Sequence, residues 1–172
     1  DNGDNMIIVM PGANGAMTVA DLKPFEDMIK SSEYLLMQLE VPMEVVGYAT
    51  DIAHTAGVNV ILNPAPACPL EDSLFSKLYA LTPNETECRF LCGDAATDDD
   101  VTNAAVLYNK GVKNVIITLG DKGSMLYNEE GTVIVPAQKV ETVDTVAAGD
   151  TYNGALCVAL SKGKGFVEAM KY

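Results

Sequence analysis

The sequence predicts an α/β protein of three layers, a mostly parallel sheet flanked by helices. Two observations carry the prediction. Short apolar, β-like runs alternate with segments of helical crossover length from one end of the chain to the other, the pattern of parallel strands joined by helices. No internal repeat, low-complexity tract or linker interrupts the alternation, so residues 1–172 read as a single domain.

The elements follow in order. Met6–Met10 is a β-like run, followed by a Gly-rich turn and a helix within about Asp21–Ser31. Tyr34–Leu39 reads as a second strand, and Pro42 to about Ala56 as a helix that stops at Gly57. Asn59–Leu62 is a strand closed by the Pro-rich loop NPAPACP, and Tyr79–Leu81 is short and apolar. Helices are expected near Glu85–Cys92 and Asp98–Lys110, the latter ended by Gly111. Val115–Leu119 is the most buried-looking strand, and Ser124–Tyr127 and Thr132–Val135 form a hairpin pattern. Last, the loop DTVAAGD feeds directly into a helical segment, TYNGALCVAL.

Composition limits the functions available. Hydrophobic residues make up 48% and charged residues 20%, as in an ordinary soluble globular protein. The net charge of −13 repels nucleic acid and anionic membranes and argues against both as partners. A bound nucleotide must then be held by backbone amides, a few cations or metal ions. No apolar run approaches the ~20 residues that span a bilayer, and no signal segment opens the chain, so the reading is cytoplasmic. The chain starts at DNGDN and stops at EAMKY within a helical pattern, so both ends look cut. Cysteines stand at 68, 88, 92 and 157 without a zinc-type CxxC pair, and are expected to be free thiols.

Asp144 to Asp150, D-T-V-A-A-G-D, is the most informative segment. Ala147, Ala148 and Gly149 let the backbone approach a ligand, and the following helix aims its unsatisfied N–H groups and positive dipole end at the loop. This suits a phosphate, or charge developing on a transferring phosphoryl group. Asp150 adds a carboxylate able to accept a hydroxyl proton. Local physics alone supports an N-cap role for Asp150 equally well.

The string DTVAAGDTYNGAL resembles the signature of the ribokinase, or phosphofructokinase-B-type, carbohydrate kinases. Members usually carry DTxGAGD, and the ribokinases tolerate Ala where this chain has Ala147. The resemblance implies a ribokinase-like fold, here incomplete, with Asp150 as catalytic base and the amides of Ala147, Ala148 and Gly149 as the anion hole. It also implies an activating monovalent cation, K⁺, bound by Asp144 and the carbonyl of Val146. N84-E-T-E87 resembles the family motif in which Asn84 and Glu87 order Mg²⁺ and phosphates through water, although the same residues spell a helix capping box.

Thr118, Leu119, Gly120, Asp121, Lys122 and Gly123 resemble the family's ATP-binding loop, with Gly120 and Gly123 allowing close approach to the nucleotide; a tight turn between strands is the plainer reading. Asn63 matches an Asn that contacts the nucleotide phosphates, and otherwise simply ends a strand before Pro64. Glu40 closes the string MQLE, where ribokinases place a sugar-contacting Glu, and it follows a strand on the edge where α/β sheets bind ligands. PGAN at Pro11–Asn14 is also ribokinase-like and receives no catalytic task.

The implied activity is ATP-dependent phosphorylation of D-ribose at its 5-hydroxyl by the parent enzyme. The family's upstream sugar-gripping segment and lid, and its last cation ligands, are absent, so this chain alone is expected to be inactive. The parent is expected to form a homodimer through that lid. Alternatives are a fructokinase-like or nucleoside kinase of the same family, or a Rossmann-type NAD-dependent oxidoreductase. The last fits poorly, because Gly12 and Gly15 lack the third glycine of GxGxxG.

Overall fold

The computed structural model describes residues 10–140 and 145–172. A six-stranded sheet runs β1 (Tyr34–Met37), β2 (Asn59–Leu62), β3 (Ala80–Leu81), β4 (Val115–Thr118), β5 (Ser124–Asn128) and β6 (Gly131–Val135), in that spatial order. β1 to β4 pair in parallel, and β4–β5 and β5–β6 are antiparallel. The predicted run Met6–Met10 lies outside the described residues except for Met10, which is in no regular element.

Helices precede the sheet and cross over between its strands. In chain order they are α1 (Gly12–Ala16), α2 (Val19–Leu22), α3 (Glu26–Lys30), α4 (Met43–Thr55), α5 (Asp72–Phe75), α6 (Glu85–Cys92), α7 (Asp100–Asn109), α8 (Ala148–Ser161) and α9 (Phe166–Ala169). α1 occupies part of the expected Gly-rich turn. The single helix expected near Asp21–Ser31 is instead α2, a 3₁₀ turn Lys23–Phe25 and α3. Pro24 sits inside that turn and supplies no N–H, so the α-helical ladder is interrupted there. α5 was not anticipated, because its four residues carry no full helical period.

The period-two alternation of the strands divides the core. Val60 and Leu62 face one side with Val115 and Ile117, against Val46 and Ala53 of α4, Phe75 of α5, Leu91 of α6 and Leu107 of α7. Ile61 and Ile116 face the other side, against Leu156, Ala159 and Leu160 of α8 and Ala169 of α9. The sheet is therefore sandwiched between helices, as predicted. On α4 the buried positions Val45, Val46, Ala49 and Ala53 form a stripe at helical period. Truncating a residue as enclosed as Leu156 to Ala costs about 2–5 kcal/mol.

The consequence for function is positional. Glu40, Asn63, Thr82 and Leu119 all lie just beyond the carboxyl ends of the four parallel strands. That edge is where open α/β sheets bind ligands.

Candidate active site at the carboxyl ends of the strands

α8 begins at Ala148, three residues earlier than the sequence pattern suggested. Asp150 is therefore the third residue of the helix, and the N-cap is Ala147. Ala147 lies in the left-handed region at φ 58°, the sole positive-φ non-glycine residue among those described. The first helical bond runs from the amide of Thr151 to the carbonyl of Ala147, while the amide of Ala148 donates to Thr145 at 3.2 Å. Helix geometry thus leaves the amides of Gly149 and Asp150 without an intrahelical acceptor. Of the three residues expected to form an anion hole, Ala147, Ala148 and Gly149, Ala148 uses its amide to close this turn.

The start of α8 packs against the strand ends. Gln38, Glu40, Asn63, Asp150 and Asn153 line one cleft of about 350 Å³ together with Leu36 and Met37. Glu40 and Asp150, far apart in the chain, thus line the same cleft. Gln38 donates from Nε2 to Oδ1 of Asp150 at 2.5 Å. Asn63 is buried, and its side-chain amide donates to the carbonyl of Thr82 at 2.8 Å. The cleft combines two exposed carboxylates, suited to accepting from hydroxyl groups, with a helix N-terminus suited to an anion.

The loop after β4 faces a second cleft. Gly120 and Gly123 line about 360 Å³ with Ser124, Pro136, Tyr152 and the C-terminal residues Met170–Tyr172. Tyr152 follows Asp150 by two positions, so the first turns of α8 stand between the two clefts. Its hydroxyl donates to Ser124 at 3.0 Å, and burial pushes its ionisation upward against the effect of that bond. Gly123 serves the chain itself. A Cβ there would lie 2.0 Å from the carbonyl oxygen of Val135, so the missing side chain admits the end of β6. Gly120, in contrast to Gly123, has open space where a Cβ would stand.

Asn84 and Glu87 form the capping box of α6 in full: Asn84 Oδ1 accepts from the Glu87 amide and Glu87 Oε2 from the Asn84 amide, each at 2.8 Å. Asn84 also bridges Thr118 in parallel register, which brings NETE beside TLGDKG. Burial raises the Glu87 carboxyl above its ordinary value, and the Asn84 amide opposes that rise. Asp144 lies outside the described residues, and Val146 is exposed in the loop before α8.

All four cysteines are free, with Cys88 and Cys92 buried. Burial pushes the Cys88 thiol far above its ordinary range. Among the described residues no cluster of three or more His, Cys, Asp or Glu could hold a metal, and no helix is long and apolar enough to cross a membrane.

Three residues of the site were not picked out from the sequence: Gln38, Thr82 and Asn153. Asn153 carried a signal, since it stands three residues before Leu156 on the stripe that α8 buries, where a polar side chain needs a partner. Gln38 and Thr82 are ordinary strand-end residues whose roles depend on distant partners.

Fold and site together define a three-layer α/β protein with a carboxylate-and-amide cleft at the carboxyl ends of its parallel strands. The sequence pattern of the pfkB family carbohydrate kinases matches residues 1–172, and the chain belongs to that family. It is 40% identical over 173 residues to the ribokinase of Haemophilus influenzae, covering 99% of this chain and 56% of that protein. The ribokinase of Thermotoga maritima superposes with a TM-score of 0.89 at 39% identity, covering 98% of this chain and 56% of that one. The ribokinase of Arabidopsis thaliana complexed with ribose and ATP superposes with a TM-score of 0.84 at 29% identity, again over 98% and 56%. The family match lends no support to the oxidoreductase alternative.

Proposed function

We propose that the whole protein transfers the γ-phosphoryl group of ATP to the 5-hydroxyl of D-ribose. The chain spans about half the length of the ribokinases it resembles, 56% of that from Haemophilus influenzae. In this reading it is part of a single ribokinase-like domain and supplies the base and the anion site, and other parts of the protein complete the grip on the sugar. The observation that carries the reading is the placement of Asp150 in the first turn of α8, in one cleft with Glu40.

Glu40 accepts hydrogen bonds from sugar hydroxyls and orients the ring. Asp150 accepts the proton of the 5-hydroxyl as that oxygen attacks the γ-phosphorus in line. The bond from the γ-phosphorus to the bridging oxygen of ATP breaks, and ADP leaves with that electron pair. The amides of Gly149 and Asp150 and the positive end of α8 take up charge on the transferring group. A loose phosphoryl-transfer transition state asks little activation of the nucleophile, so an aspartate suffices. The second cleft, with the loop Thr118–Gly123, takes the nucleoside end of ATP, and Asn63 lies toward its phosphates.

Glu87 fits a role near Mg²⁺. The cap engages one of its oxygens, and a carboxylate retains further acceptor sites for metal-bound water. When bound, the ion neutralises phosphate charge. K⁺ held by Asp144 and the Val146 carbonyl is proposed as an activator, and dimerisation through a lid as the assembly.

An ADP-release assay of the full-length protein across ribose, fructose and nucleosides tests the proposal. Ribose should give the highest kcat/KM, and K⁺ should raise it. Preference for another sugar overturns the ribose assignment, and indifference to K⁺ overturns the cation roles of Asp144 and Val146.

A further inference from the structure

A buried hydrogen-bonded chain lies beneath the cleft. Thr82, one residue beyond β3, is 1% exposed, and its hydroxyl donates to Oδ1 of Asn153 on α8 at 2.6 Å. Asn153, 4% exposed, donates from Nδ2 to the carbonyl of Gly149 at 2.9 Å. A carbonyl only accepts, so the orientation of this amide is fixed by its partner. Behind Thr82, the side chain of Asn63 donates to the Thr82 carbonyl, and the Thr82 amide donates to Leu62 at 2.9 Å. The ends of β2 and β3 are thereby tied to the first turn of α8.

An apolar pair would fill this position at lower cost, because buried polar groups lose hydration and recover it only through good partners. A satisfied buried network instead fixes one arrangement. The arrangement fixed here is the Gly149 peptide, immediately before Asp150. Its pitch sets where the Gly149 and Asp150 amides and the Asp150 carboxylate point.

We propose that Asn153, held by Thr82, is a positioning residue for phosphoryl transfer. It acts through Gly149 and Asp150 and holds the anion site in register with the strand ends. The inference rests on the phosphotransferase reading above. It assigns the pair Thr82–Asn153 to turnover, where a purely structural role would confine the pair to stability.

The test uses the full-length protein with Thr82→Val, Asn153→Ala, the double variant, Thr82→Ser and Asp150→Asn. Misplacing a reacting group by about 1 Å costs up to ~10²-fold. Thr82→Val should therefore lower kcat by about 10- to 100-fold while the KM values for ATP and sugar hold within about threefold. The double variant should lose no more than the worse single variant, since both remove one link. Thr82→Ser, which keeps the hydroxyl, should restore kcat.

If Asn153→Ala does not fold, Thr82→Val, of matching shape, and its Ser counterpart carry the test. A melting temperature that falls while kcat stays at the wild-type level overturns the positioning role. A full-length protein inactive on every sugar, or an Asp150→Asn variant with wild-type turnover, overturns the phosphotransfer reading and this inference with it. Loss of turnover in Asp150→Asn alone, with Thr82→Val unimpaired, removes the positioning role and leaves the reading intact.

Discussion

The side-chain amide of Gln38 donates to Oδ1 of Asp150 at 2.5 Å, joining residues 112 positions apart in the chain. Gln38 follows the last residue of β1, and Asp150 is the third residue of α8, so the bond ties a strand end to the helix start. A carboxylate held by one oxygen presents the other in a defined direction, and orientation is a large part of what such a group contributes. Asp150→Asn in the full-length protein should lower kcat by about 10²–10⁴-fold, the range for loss of a positioned general base. Gln38→Leu should lower it by about 5- to 10-fold, as loss of one hydrogen bond predicts. Steady-state kinetics on both variants checks this, and unchanged kcat in Gln38→Leu would show that the bond does not orient the base.

The left-handed backbone of Ala147 gives a stability prediction of opposite sign. An L side chain at φ 58° costs roughly 1–2 kcal/mol that glycine avoids, partly offset by the greater freedom of glycine in the unfolded chain. Ala147→Gly should therefore stabilise the protein by about 0.5–1 kcal/mol, read from the urea midpoint. A lower midpoint would mean that Ala147 is not held at positive φ in solution. The glycine that most family signatures carry at this position fits the same backbone.

Gln38, Asp150 and Ala147 show what was legible in the sequence and what was not. The longer elements and their order could be read because they are governed by local period: β-branched runs such as Val115–Thr118, helical stripes such as Val45–Ala53, and glycines after helices. The small-residue loop before α8 stood out for a similar reason. The registration of α8 could not be read, since a start at Ala148 or at Thr151 satisfies the same apolar pattern and only the packed turn decides. Gln38, Thr82 and Asn153 acquire roles from partners 71 to 112 residues away, which no local pattern encodes. The grouping of Glu40 with Asp150 rests on family resemblance and on one local signal, the place of Glu40 after a strand on the edge where α/β sheets bind ligands.

The two glycines after β4 should respond differently to alanine. At Gly123 a Cβ would sit 2.0 Å from the Val135 carbonyl and 2.6 Å from the Ala137 amide, both backbone atoms, at φ 109°. The end of β6 would have to move, so Gly123→Ala should destabilise the protein by more than about 2 kcal/mol, beyond the cost of the left-handed backbone alone. At Gly120, φ is 59° and nothing lies within 4 Å, which leaves only the backbone cost of roughly 1 kcal/mol. Urea denaturation of both variants separates them, and equal losses would show that the hairpin does not crowd Gly123.

Glu87 offers a test in which stability and activity move apart. Burial raises its carboxyl above the ordinary 4.5, with the Asn84 amide opposing the rise. A raised carboxyl binds its proton more tightly in the folded state. Its contribution to stability is therefore complete below 4.5 and lost as pH rises through the folded value. Glutamine keeps an acceptor for the Asn84 amide, since either residue closes a capping box, and it carries no charge to desolvate. Glu87→Gln should consequently melt no lower than wild type at pH 7, and its advantage should vanish by about pH 4, where both side chains are neutral. If Glu87 also orders Mg²⁺ and phosphates, kcat/KM for ATP should fall in the same variant even as stability holds, since a charge kept against its own burial cost is the mark of a functional residue. Thermal melts across that pH range, paired with kinetics at pH 7, check both halves. A variant that loses stability at pH 7 and keeps full activity would reduce Glu87 to a helix cap.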